Sequence, residues 1–299
     1  MIAYILISMA VICFAIQFAF TKLYEGAAQQ NTTATLVMCL VTSTIGALLF
    51  WIIGGFRVQI STTSLLLGLI FGAVMIPYYL IGIKVLSLGS LALYSMFMML
   101  GGMLVPFFYG VIYLNESISL GKGLGTVLLT LCIIAQGVLP DVSERKQKDK
   151  RKQRLFFMLC ILIFLINGMT CVIAKIHAIH PDGVDEASFT VICCVWTAVI
   201  SFVMLLIPSK RPTKNAIKGA FTGKKLLIMA ALGAAAHGGN FFHLLAAETV
   251  PASVQFPMVS GGVIVLSSLL AATVFKECLS RKEWLRIGGA CLSTLLFAF

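Results

Sequence analysis

The sequence predicts an all-α integral membrane protein of ten transmembrane helices, built from two inverted five-helix repeats. Three observations carry that expectation: an apolar composition, a one-sided placement of Lys and Arg, and an internal offset of 161 residues. The 299 residues are 60% hydrophobic and only 11% charged, whereas about a quarter of a soluble domain is charged. Too little polar surface remains to face water on every side. A bilayer-spanning helix needs roughly 20 apolar residues. The apolar runs here are continuous, without the alternation of a barrel strand, which favours helices.

Ten runs are separated by charges or turn residues, at 2–22, 32–54, 63–84, 90–114, 119–139, 155–176, 186–208, 224–246, 251–274 and 282–299. The first has no basic segment before it and no A-x-A-like end, so it is expected to be a retained helix rather than a cleaved signal. Eight of the nine cysteines, all but Cys278, fall inside these runs, with no C-x-x-C pair. They are expected to be small buried hydrophobes, and neither a metal site, a disulfide framework nor a cofactor is expected.

The stretch DVSERKQKDKRKQR, 141–154, holds seven of the chain's 22 basic residues. With the N-terminus outside, the inner loops hold these seven and also Lys22, Lys84, the six bases from Lys210 to Lys225, and Lys276, Arg281, Lys282 and Arg286. That is 19 of 22, leaving Arg57, Lys122 and Lys175 for the other face. Cytoplasmic loops accumulate Lys and Arg, so both termini are expected outside, in the plasma (inner) membrane. The net charge of +11 follows from this bias and from attraction to anionic lipid. No soluble domain is expected that could present the charge to nucleic acid. The expected partners are a small-molecule substrate and membrane lipid, with the chain a monomer.

Gly101, Asn115-Glu116 and Ser119 recur, 161 residues on, as Gly262, Lys276-Glu277 and Ser280. The chain therefore divides into a first repeat, 1–140, a basic cytoplasmic linker, 141–154, and a second repeat, 155–299. Five helices per repeat, an odd number, force the second copy to enter the membrane from the opposite side. The charges agree with this. Loops after the second and fourth runs hold only Arg57 and Lys122, while the matching loops of the second repeat hold ten bases.

Each repeat ends in a long fourth helix, a Glu in the loop after it (LNES at 114–117, FKEC at 275–278) and a Gly-bearing fifth helix (LGTVLL, IGGACL). Together with YYLIGIKVLSLGSLALYSMFMMLGG and NFFHLLAAETVPASVQFPMVSGG, these segments resemble the drug/metabolite transporter superfamily in its ten-helix EamA-type branch. The resemblance covers essentially the whole chain. It departs from the family in that Pro106 follows the Gly pair of the fourth helix while the second repeat lacks the proline, and in that family members are commonly drawn with both termini inside. The resemblance implies a secondary transporter and gives Glu116 and Glu277 a structural role. Taken by themselves, the two glutamates read as caps for the start of each fifth helix. Gly101 and Gly262 read as sites of close helix approach.

Inverted-repeat transporters hold substrate near the bilayer midplane, where polar side chains are costly and are functional candidates. The candidates are Gln17 in the first helix, Tyr78 and Tyr79 after Pro77 in the third, Tyr94 and Met98 in the fourth, and Asn167 in the sixth. His237, Asn240 and Phe241 share a stripe with Leu244 and Glu248 in the eighth, and Gln255 lies in the ninth, at the offset from Tyr94. His177 and Asp182 in HAIHPD reproduce an acyltransferase-like H-x4-D spacing, but in a loop on the outer face. No H-E-x-x-H or G-x-S-x-G occurs, so no enzyme is expected. All eleven acidic residues fall in loops or at helix ends, so a carboxylate that could hold a cationic drug is missing at mid-span. The expected cargo is a small neutral, zwitterionic or weakly anionic metabolite such as an amino acid or nucleoside. It would move by alternating access about a central cavity between the repeats, with facilitated movement preferred to proton linkage through His237. The alternative is a proton-coupled exporter of drugs or lipophilic compounds.

Overall fold

In the computed structural model of the protein, residues 2–28, 32–115, 119–138, 150–207, 223–247, 250 and 252–296 are described. Among them the regular secondary structure is all helix: α1 (Ile2–Ala28), α2 (Thr32–Ile53), α3 (Thr62–Leu88), α4 (Leu91–Tyr113), α5 (Leu120–Val138), α6 (Lys150–Ile179), α7 (Glu186–Leu206), α8 (Gly223–Ala247), α9 (Ala252–Thr273) and α10 (Arg281–Leu296). By length and apolarity α1, α2, α3, α4, α6 and α7 can each cross a membrane. The chain is thus an all-α protein with several membrane-spanning helices. α6 starts at Lys150, inside the stretch expected to be linker, so Lys150, Arg151, Lys152 and Arg154 belong to its start.

The lipid-facing surface is written in the helix period. Along α7, Val195, Val199, Phe202 and Leu206 are exposed, at i, i+4, i+7 and i+11, one stripe of a helix. The buried face of the same helix carries Ser188, Cys193, Cys194, Thr197 and Ser201. Small residues let backbones approach where lipid offers no hydrophobic drive. Their hydroxyls do not stay unpaired: Thr197 donates to the Cys193 carbonyl at 2.8 Å and Ser201 to that of Thr197 at 2.7 Å. Such bonds to the preceding turn let a polar residue sit inside a membrane helix.

The helices sort into two compact units. The first comprises 1–19, 88–168 and 238–299, and the second 20–87 and 169–237. Each draws on both halves of the sequence. In the first unit α4 packs on α9, and α10 on α5 and α9; in the second, α2 packs on α7. Counting the described helices in chain order, α2 with α7, α4 with α9 and α5 with α10 each join a helix to the one five places later.

The corners after α4 and α9 each carry a left-handed residue at the same place. Asn115 (φ 54°) and Lys276 (φ 51°) are both left-handed without being glycine, and they are separated by the same 161 residues. Each helix is closed by a backbone bond to its last turn, Leu114 N–H to the Gly110 carbonyl at 3.1 Å and Val274 N–H to that of Leu270 at 2.9 Å. The helices that follow begin on matching serines. The Ser119 hydroxyl accepts from Lys122 N–H at 3.3 Å, and Ser280 accepts from Glu283 N–H at 3.2 Å. Glu283 then completes a capping box by accepting from Ser280 N–H at 2.7 Å.

Candidate functional site

Seven of the ten expected lining residues, Gln17, Tyr94, Met98, Asn167, Asn240, Phe241 and Gln255, fall in the first unit, and Tyr78, Tyr79 and His237 in the second. In the first unit Tyr94 is 2% exposed and meets Phe18 of α1 edge-on, ring centroids 5.6 Å apart. Gln255, its equivalent at the offset, is 1% exposed, and its amide donates to the His243 carbonyl in α8. Asn167 of α6 donates from Nδ2 to the Met98 carbonyl in α4 at 2.7 Å. Both amides therefore tie one helix to the backbone of another. Gln17 is half-buried, Asn240 is exposed and Phe241 is half-buried beside Phe242.

The paired glycines of the first unit behave as close-approach points. A Cβ on Gly101 would collide with the Phe164 carbonyl of α6, while one on Gly262 would lie 2.9 Å from Val11 Cγ2 of α1. Within this packing, Ser95 of α4 and Ser267 of α9 share a hydrogen bond of 2.7 Å, both fully buried. Nothing in the sequence distinguishes these two serines from others in apolar runs, so their pairing is not legible there.

Glu277 carries a second contact unreadable from sequence. Both of its carboxylate oxygens accept from Leu91 N–H, at 2.9 and 3.0 Å, so it caps the start of α4 beside the N-cap Ser90. The cap expected on the following helix is supplied by Ser280 and Glu283 instead. A carboxylate suits that position because the first-turn N–H groups of a helix lack internal partners and carry partial positive charge. Glu116 and Glu248 lie outside the described residues.

In the second unit Pro77 lies inside α3, and Tyr78 and Tyr79 after it meet edge-on with centroids 5.3 Å apart. Tyr79 packs against an apolar cluster of Tyr24, Val37, Met38 and Ile83. His237 of α8 sits against Gly46 of α2, where a side chain would collide with its ring. Phe50 meets it edge-on at 6.2 Å. Its Nδ1 is buried with no hydrogen-bond partner among the described residues.

His177, expected in a loop, lies instead at the buried end of α6. It stacks on Phe189 at 3.6 Å between centroids, and its Nε2 bonds Ser64 Oγ at 2.9 Å. Asp182 is the neighbour of His180, whose Nδ1 accepts from its backbone N–H at 3.1 Å. The H-x4-D spacing therefore brings no His177–Asp182 pair together. Among the described residues no three His, Cys, Asp or Glu side chains gather where they could hold a metal ion.

Fold and packing together define a multi-pass all-α membrane protein whose buried polar groups are distributed over helices of both sequence halves. No sequence-family model and no curated protein matches the chain. A solved structure described only as "Crystal structure of protein" is similar over 98% of this chain and 97% of its own, with a TM-score of 0.61 at 15% identity. The two share a fold from end to end.

Proposed function

We propose that the chain is a secondary transporter of the drug/metabolite type, with ten membrane helices in two inverted repeats. It moves a small neutral, zwitterionic or weakly anionic metabolite, such as an amino acid or nucleoside, by alternating access about a central cavity between those repeats. The observation that carries this reading is the recurrence of a left-handed corner residue, Asn115 (φ 54°) and Lys276 (φ 51°), at the offset of 161. The joining of each of α2, α4 and α5 to the helix five places later supports it. A duplicated bundle of this kind is the usual architecture of alternating access. The 19-to-3 division of basic residues supports termini outside a plasma (inner) membrane.

The cargo class follows from the acidic residues, which all fall in loops or at helix ends in the sequence. A lipophilic cation has no carboxylate to meet at mid-span. The test is uptake into proteoliposomes of radiolabelled L-leucine, uridine and tetraphenylphosphonium, with and without an imposed pH gradient. Saturable leucine or uridine uptake that needs no gradient is the expected result. Selective, gradient-driven movement of tetraphenylphosphonium would establish the multidrug exporter instead.

A further inference from the structure

We infer that His237 Nδ1 is a hydrogen-bond acceptor held open for the transported solute, so that the solute presents an N–H or O–H donor to it; this rests on the transport reading above. The placement begins with Gly46. Because that residue has no side chain, the imidazole lies directly on the α2 backbone, with Nε2, Cε1 and Cδ2 where a Cβ would be. One turn earlier the Thr42 backbone takes a hydrogen bond from the ring. Nδ1 is buried and unpartnered among the described residues, so that bond leaves from Nε2.

A neutral imidazole has one N–H and one bare nitrogen. With the proton fixed on Nε2 by the Thr42 carbonyl, Nδ1 can only accept. The neighbours described around the ring cannot meet it. The Thr42 hydroxyl is committed to the Met38 carbonyl at 2.8 Å, Gly46 has no side chain, and Phe50 offers a ring edge. A second proton on Nδ1 would create a buried cation without a counter-charge, which is the costlier state. Unmet buried acceptors are rare in native folds and have a reason where they occur. A carboxylate or phosphate oxygen would set acceptor against acceptor. An ammonium, a hydroxyl or an amide N–H would complete the bond, and in the dry interior that bond discriminates strongly against a solute lacking the donor.

The test is nitrogen NMR of the full chain, labelled with ¹⁵N-histidine in lipid nanodiscs, with His237 assigned by the signal that His237→Gln removes. Without solute the expected signals are a protonated Nε2 and an Nδ1 with no hydrogen bond. L-leucine and uridine are the ammonium and hydroxyl arms, and N,N,N-trimethylglycine is the donor-free control. At least one of the first two is expected to move the Nδ1 signal upfield, to the hydrogen-bonded position, while the control leaves it unmoved. A proton on Nδ1, an Nδ1 already hydrogen-bonded without solute, an equal response to the control, or no response in either arm would each overturn the inference. Uptake measured on the same preparation separates the two failures. A moved Nδ1 without uptake keeps the site and removes the transporter, whereas uptake with Nδ1 unmoved keeps the transporter and removes the site.

Discussion

The corner after α4 and the corner after α9 place a left-handed residue at the same position and differ in what surrounds it. Asn115 and Lys276 hold almost the same left-handed φ, and each is followed by Glu and then by a serine-capped helix. Around the second corner lie Lys276, Arg281, Lys282 and Arg286, while Lys122 is the one basic residue close to the first. At the second, Glu283 closes a capping box on Ser280; at the first, the matching position is Lys122. Under the proposed inverted repeat the two corners face opposite sides of a membrane, so that local sterics would keep the left-handed position while the compartment sets the charge around it.

The comparison can be broken most severely at the paired glycines. Gly101→Ala drives a methyl into the Phe164 backbone, whereas Gly262→Ala meets only the movable Val11 side chain. Overpacking costs about 1–3 kcal/mol, and Gly101→Ala is expected at the top of that range and Gly262→Ala at the bottom. Thermal unfolding in detergent, read beside the yield of monodisperse protein, orders the two; equal loss would show that the close approaches are alike.

Glu277 comes next. Glu277→Ala leaves Leu91 N–H without its carboxylate and is expected to cost about 1 kcal/mol, as loss of an N-cap does. Glu277→Gln keeps an acceptor and loses only the charge, about 0.3–1 kcal/mol. Equal melting temperatures for wild type and Glu277→Ala would mean that Ser90 alone caps α4.

The smallest effects sharpen the comparison and run the other way. A left-handed residue costs roughly 1–2 kcal/mol unless it is Gly or, in part, Asn. Lys276→Gly is therefore expected to raise the unfolding temperature, and Asn115→Gly to raise it less. A larger gain at Asn115 would show that the two turns are not equivalent in energy.

Most of the helical layout was legible in the sequence because apolar runs end where charges begin. Expected and observed bounds of α2 agree within a residue, 32–54 against Thr32–Ile53. The edges moved where polar residues continued a helix: Lys150 to Arg154 begin α6, and His177 stays within its end, buried against Ser64 and Phe189. The candidate site was legible by residue type but not by role. Asn167 and Gln255 were singled out as mid-span amides, and their donors are directed to backbone carbonyls of neighbouring helices. Glu277 reaches an N–H 186 residues away, a distance over which local spacing says nothing. The state of His237 depends on Gly46, and no pattern within α8 points to a residue missing its side chain on α2.

Opposite orientation of the two corners is the central claim, and thiol labelling at equivalent positions tests it most directly. Cys278 is a native free thiol, exposed in the corner after α9. Asn115→Cys places a second thiol in the corner after α4, and Cys278→Ala separates the two signals. The account predicts that a membrane-impermeant maleimide added to intact cells labels the cysteine at 115 and spares Cys278, with the pattern reversed in inside-out vesicles. Labelling of both positions from the same side would contradict it.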